Sequence, residues 1–123
     1  MKISDLFYGA WVIKSGFTYP ETVGSKELKN LFMDIENNGE EAEKEIEKIY
    51  NPVPLSSEIL KNSGLKNWGS YFWDDKAELR ISNSYLEDET WVCEYGMNKL
   101  HLRYVHELQY FLKVCGIDME IIV

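Results

Sequence analysis

His101, His106, Cys93 and Cys115 carry the side chains in this chain best suited to metal or nucleophilic chemistry. Imidazole and thiolate are the usual ligands of tetrahedral zinc. Structural zinc sites draw those ligands from close pairs, and none of the four residues has a partner at such a spacing. His106-Glu107-Leu108-Gln109-Tyr110 begins like the helix of a zinc protease. Tyrosine stands where the second histidine must be, so the metal would lack a ligand. A Cys–His nucleophile needs two side chains within hydrogen-bond reach, which spacing alone does not establish. Both cysteines sit in apolar patterns that suit core thiols, and His106 sits where it would hydrogen-bond or cap near a helix start. Carboxylates adjoin at Asp74-Asp75 and in Glu87-Asp88-Glu89. Converging carboxylates can do acid–base work or hold a hard cation, but turn carboxylates ordinarily face water. The chain has no Gly-rich phosphate loop and no nucleophile elbow. The expectation is therefore no catalytic residue, no metal site and no cofactor. The alternative is a small hydrolase or metal-dependent enzyme using His101, His106 and nearby carboxylates.

The elements that position these residues can be read from periodicity. Leu100, Leu102 and Tyr104 alternate with Lys99, His101 and Arg103, a half-buried strand with a cationic outer face. The period then changes. Val105, Leu108, Phe111, Leu112 and Cys115 form the stripe of a helix over 105–115, and Gly116 can adopt the left-handed conformation that closes it. So short a helix is marginal alone and must pack on the sheet before it. Ile117, Met119, Ile121 and Val123 then alternate with polar residues as a final strand, with Ile122 out of phase.

Upstream, Ala10-Trp11-Val12-Ile13 reads as a strand with a turn at Ser15-Gly16. Ser25 is the expected N-cap of a helix carrying Leu28, Leu31, Phe32 and Ile35, with a strand ending at Ile35 as the competing reading. Asn37-Asn38-Gly39 signals a turn. Glu40 to Tyr50 follows as a helix burying Ala42, Ile46, Ile49 and Tyr50, with Glu40–Lys44 a favourable pair one turn apart. Pro52-Val53-Pro54 forces extended backbone. Ser56 then caps a second helix that Gly64 closes, with Leu55 as its hydrophobic staple. From Trp68 to Arg103 the pattern is an antiparallel meander: Tyr71 to Trp73, a turn at Asp74-Asp75-Lys76, Ala77 to Ser82, Trp91 to Tyr95, and the strand at Lys99. The expected fold is α+β, an antiparallel β-meander with short helices and the C-terminal helix packed on the sheet. The expected organisation is one domain, 1–123, with an N-terminal half, 1–51, and a helix, meander, helix and strand over 52–123.

The totals narrow the function classes. A chain of 123 residues can bury roughly two thirds of its unfolded surface, so it folds without a metal or disulfide. Hydrophobic residues at 45% exclude disorder. A net charge of −8 sets the general field against nucleic acid. Asp5 interrupts the first apolar run and no small-residue cleavage site follows, so no signal peptide is expected. No apolar run reaches membrane-spanning length, and the expected location is cytoplasmic.

Two surfaces remain as candidates for partner binding. Trp68 and Phe72 share one strand parity and Tyr71 and Trp73 the other, so both faces of one strand would be aromatic. Either the second face is covered by the N-terminal half, or Trp68, Tyr71 and Trp73 form an exposed patch that binds a protein or a second copy. Base stacking on these rings is opposed by the net charge. The second surface is acidic: Glu40, Glu41, Glu43, Glu45 and Glu47 stand against Lys44 and Lys48. Its bland reading is a solvated helix face. Its sharper reading is a surface for a basic partner, such as a nucleic-acid-binding protein.

Two stretches also resemble a known group. Pro52-Val53-Pro54-Leu55-Ser56-Ser57-Glu58-Ile59-Leu60-Lys61-Asn62-Ser63-Gly64 looks like a proline–leucine–threonine–glutamate helix start. Tyr104-Val105-His106-Glu107-Leu108-Gln109, running to Cys115-Gly116-Ile117, looks like a tyrosine–valine–histidine–x–leucine–glutamine helix. In that order, with an aromatic hairpin between them, they resemble small uncharacterised proteins from gut Bacteroidetes and their phages. The resemblance covers roughly the last 70 residues. It implies a phage or mobile-element setting and no activity. Combined with the acidic surface, the expected function is a non-enzymatic interaction protein, an inhibitor that occupies the basic site of a host nucleic-acid-handling defence enzyme.

Overall fold

The computed structural model describes residues 1–83 and 90–123, so the Glu87-Asp88-Glu89 run lies outside the described residues. The chain is α+β and gathers into two compact units, Met1–Val53 and Pro54–Val123. The divide falls within the Pro52-Val53-Pro54 stretch, where two prolines hold the backbone extended.

The first unit is a small sheet against a long helical run. Strands β1 (Trp11–Lys14), β2 (Glu21–Thr22) and β3 (Tyr50–Pro52) pair antiparallel in the order β2-β1-β3. Helix α1 (Ser25–Ile49) presents Leu28, Leu31 and Ile35 to a core of Leu6, Ala10, Val12, Val23, Ile46 and Tyr50. The competing strand ending at Ile35 does not form. Gly24, not Ser25, is the N-cap, and Ser25 is already helical. Phe32 and Ile49 point outward instead of joining the apolar stripe. The Asn37-Asn38-Gly39 turn signal has a counterpart inside α1. Gly39 adopts φ 65° and ψ −145°, which breaks the helical backbone in a region essentially restricted to glycine. The break lets the acidic second half take its own direction, burying Ala42 and Ile46. Tyr50 is not helical but starts β3, where its ring completes the core.

One lysine ties the polar rim of this unit together. Lys14 of β1 pairs with Glu21 of β2 at 2.6 Å and with Glu27 of α1 at 2.9 Å. The Tyr50 hydroxyl donates to Glu27 as well, and the Lys14 ammonium lies 5.8 Å from the Tyr50 ring centroid. The hydrogen bonds to Glu21 and Glu27 hold Lys14 well above the usual lysine range against the opposing effect of burial. Burial, then the bond to Glu27, pushes Tyr50 up. Burial alone would raise Glu27, but the Tyr50 hydroxyl and the Lys14 ammonium outweigh it and hold the carboxyl below its ordinary value.

The second unit begins with α2 (Ser57–Asn62). Ser56 is its N-cap, its hydroxyl accepting from Ile59 N at 3.3 Å. Gly64, at φ 92°, closes it, with Leu65 N donating to the Leu60 carbonyl. Five strands follow as an antiparallel meander in chain order: β4 (Lys66–Trp68), β5 (Tyr71–Asp74), β6 (Leu79–Asn83), β7 (Trp91–Tyr95) and β8 (Asn98–Leu102). Strand β6 starts at Leu79 instead of Ala77, because Glu78 takes the left-handed φ of 56° that ends the turn. Helix α3 (Val105–Val114) then packs on the sheet, with Phe111 edge-on to Tyr95 at 6.4 Å. Its C-terminus is a full Schellman closure: Gly116 N donates to the Lys113 carbonyl and Ile117 N to that of Leu112.

Two expectations for the C-terminal quarter change. Residues 117–123 form no ladder among the described residues. The tail is pinned by Ile121, which is buried, and by Ile122 N donating to the Ser63 hydroxyl at 2.9 Å. Its apolar alternation thus reports alternate burial of an extended segment without strand pairing. Leu102 is buried, but Leu100 is 42% exposed: β8 is an edge strand, and cover stops short of it.

Candidate functional site

The aromatic hairpin differs from the single strand expected over Trp68 to Trp73. Gly69, at φ 62°, and Ser70 form a two-residue loop, so Trp68 ends β4 and Tyr71 begins β5 directly opposite it. Glycine with positive φ at the first loop position suits a tight hairpin whose twist matches the strands. Asn67 Nδ2 braces the loop by donating to the carbonyls of Gly69 (3.3 Å) and Tyr71 (3.2 Å). The turn inverts the parity read from sequence. Trp68 now shares a face with Tyr71 and Trp73, while Phe72 faces the other way.

Register then assigns each face of the five-stranded sheet. The inner face carries Phe72, Leu79, Ile81, Trp91, Cys93 and Leu102, all buried. Phe72 meets Trp91 at 6.0 Å, and Trp91 Nε1 donates to the Leu55 carbonyl at 3.1 Å. The outer face carries two cross-strand rows. One runs Trp68, Tyr71, Ser82, Val92, His101; the other runs Lys66, Trp73, Arg80, Glu94, Lys99; Val92 is itself buried, and Ser82 and Glu94 are half-buried. The Trp68 and Tyr71 rings meet edge-on at 5.9 Å, and Tyr71 and Trp73 lie tilted at 5.6 Å. The Arg80 guanidinium sits 4.2 Å from the Tyr71 centroid, within cation–π range. Trp68 is 69% exposed, and Tyr71 and Trp73 are half-buried. Lys66 pairs with Asp75 at 2.7 Å, a bond that raises the lysine and lowers the carboxyl.

The acidic candidates lie on α1. Glu40, Glu41, Glu43 and Glu47 belong to the first unit and the rings to the second. Glu40 and Glu41 are exposed, but Glu43 and Glu47 are half-buried. A Glu47 carboxylate oxygen accepts from Ile3 N at 3.4 Å, so part of the acidic run helps hold the first unit. Lys48 pairs with Glu45 at 3.4 Å within it.

Of the potentially reactive residues, the two thiols lie near each other and the two imidazoles sit in different settings. His101 is exposed on the outer face of β8. His106 is buried at 6% exposure and stacks on the Tyr104 ring at 5.8 Å and 12°. Glu107 is occupied structurally: one carboxylate oxygen accepts from Arg103 N and Tyr104 N, each at 2.9 Å, holding the start of α3. Tyr110 is exposed. Cys93 is fully buried, and burial, then nearby Cys115 and Glu94, pushes its thiol up to about 12. Both cysteines are free. Among the described residues no group of three or more His, Cys, Asp or Glu side chains is placed to hold a metal ion.

A cleft of about 360 Å³ lies between the β5–β6 turn and the end of α3, bordered by Asp74, Lys76, Glu78 and Asp118. It offers carboxylates, an ammonium and the Tyr95 ring but no thiol or imidazole. Among the described residues no helix is long and apolar enough to cross a membrane. Comparison of the chain with protein-family models, with curated proteins and with solved structures gave no match.

Proposed function

We propose that this chain is a small non-enzymatic interaction protein whose binding surface is the outer face of β4, β5 and β6. One observation carries the reading: Trp68, Tyr71 and Trp73 converge on one face, with Trp68 69% exposed. Exposed, clustered tryptophan and tyrosine beside an arginine have the composition of binding hot spots. The resemblance of 52–64 and 104–117 to small proteins of gut Bacteroidetes and their phages supports a phage or mobile-element setting.

The exposure of Glu40, Glu41 and Glu45 favours a second reading. Here the acidic half of α1 occupies the basic site of a host nucleic-acid-handling enzyme, with an association rate that falls as salt rises. Affinity capture from a bacterial lysate tests both. On the first reading Trp68→Ala abolishes capture and the pair Glu40→Gln, Glu41→Gln leaves it unchanged. On the second the pair weakens capture and Trp68→Ala does not. Capture indifferent to both sets would refute both readings.

A further inference from the structure

The net charge of −8 is not spread over the outer sheet face. The five strands place Lys66, Arg80 and Lys99 on it against one carboxylate of the same rows, Glu94, a formal +2 with His101 neutral. Asp75, in the adjoining turn, pairs with Lys66 at 2.7 Å and reduces the balance to a formal +1. All three cations are exposed, as is His101. The described residues of this face therefore carry a small positive balance on an acidic chain, and the aromatic rings lie at one end of the face. Trp68, Tyr71 and Trp73 sit at the β4–β5 end, Arg80 lies over Tyr71, and Lys99 and His101 lie at the opposite edge.

We infer that this face binds single-stranded nucleic acid. The inference rests on the outer face being the interaction surface, and it names the ligand. Each base has a π-face that stacks on tryptophan or tyrosine whatever its sequence. An arginine plane stacks on bases too, and the Arg80 guanidinium already lies 4.2 Å from the Tyr71 ring centroid. The phosphates need cations beside the rings, and the second row supplies Arg80 and Lys99, with Lys66 held by Asp75. A duplex hides its base faces, so the rings select single strands. The net charge of the whole chain opposes phosphate, so binding depends on the cations of this face. A basic protein partner, which the overall charge would favour, is disfavoured here by the same positive balance. The overall charge argued against nucleic acid because a sum does not record where the charges lie.

The test is fluorescence anisotropy of a labelled single strand of ~12 mixed nucleotides, as RNA and as DNA, with the duplex of the same sequence beside them. The full chain should bind single strands more tightly than duplex. Two phosphate contacts, from Arg80 and Lys99, at about −0.7 each predict a slope of about −1.4 for log association constant against log salt. Trp68→Ala, at a surface position, should keep the wild-type Tm and weaken binding about 5- to 100-fold. Lys99→Gln should flatten the salt slope by about 0.7. Tighter binding of RNA than DNA would report a contact to the 2′-hydroxyl, and equal binding would report stacking and phosphate contact; either supports the inference. Absence of binding at low salt, or binding that neither substitution changes, overturns it. If no oligonucleotide binds while nuclease-treated lysate still yields a Trp68-dependent protein partner, the nucleic-acid ligand falls and the interaction face stands. Oligonucleotide binding and lysate capture both indifferent to Trp68→Ala overturn the ligand and the face together.

Discussion

Leu108→Ala tests the packing of α3 most directly. Leu108 is 0% exposed and Leu112 2%, one helical turn apart, with buried Val105 on the same stripe. Truncation to alanine removes three carbons, worth about 2.4 kcal/mol at about 0.8 each. The surrounding sheet and helix relax incompletely, so a cavity penalty adds to this, and leucine truncations at such sites cost about 2.7–5 kcal/mol. The expected loss is about 3–4 kcal/mol, a large fraction of a stability of about 5–15 kcal/mol. Urea unfolding measures it. Trp91, buried and bonded to the Leu55 carbonyl, reports on the C-terminal unit, and far-UV circular dichroism reports on both. Coincident transitions would mean the two units unfold together, and separate ones would assign the loss to the second unit. Val114→Ala is the internal control. It lies on the same helix but is exposed, so its effect should stay within about 0.5 kcal/mol. If Leu108→Ala and Leu112→Ala also change stability by less than ~0.5 kcal/mol, the packing described here is wrong.

Two further outcomes follow from ionisation. Glu27 is held below its ordinary value, so the unfolded chain takes up its proton first on acidification. The stability it contributes is present above about pH 4.3 and is lost as pH falls through its lower folded value. Tyr50 is raised, so its contribution is present below about pH 10 and is lost as pH rises beyond that. Urea midpoints across pH should therefore fall at both ends. Glu27→Gln should flatten the acid limb, and an acid limb identical to wild type would refute the pairing. For the thiols, Cys115 is half-exposed whereas Cys93 is sealed and its thiolate is suppressed, with a thiol pushed up to about 12. Alkylation of the native protein near pH 8 should label Cys115 first and Cys93 only after denaturant is added, as peptide mapping by mass spectrometry would read. Equal labelling of the two in the native state would contradict the burial of β7.

Much of the fold is determined locally and is legible in the sequence. Ser56 and Gly64 mark the ends of α2, and the 105–115 stripe with Gly116 marks α3, because caps and helical stripes depend on residues within one or two turns. The Asn37-Asn38-Gly39 signal likewise locates the break in α1. The aromatic residues at 68, 71 and 73 are identifiable by type alone. Their common face is not. A two-residue loop at Gly69-Ser70 reverses the chain, and one shift in parity moves a ring across the sheet. Burial also depends on what lies above a side chain. Leu100 has the pattern of an inward residue and is exposed at an edge, while Ile121 is buried in an apolar alternation that belongs to no strand of the described residues. The charge of the outer face is the strongest case. Lys66, Arg80, Glu94 and Lys99 are scattered over 34 positions and contribute to a sum of −8 in the sequence. Strand register gathers them into one row, because cross-strand neighbours are set by long-range pairing, which no local pattern records.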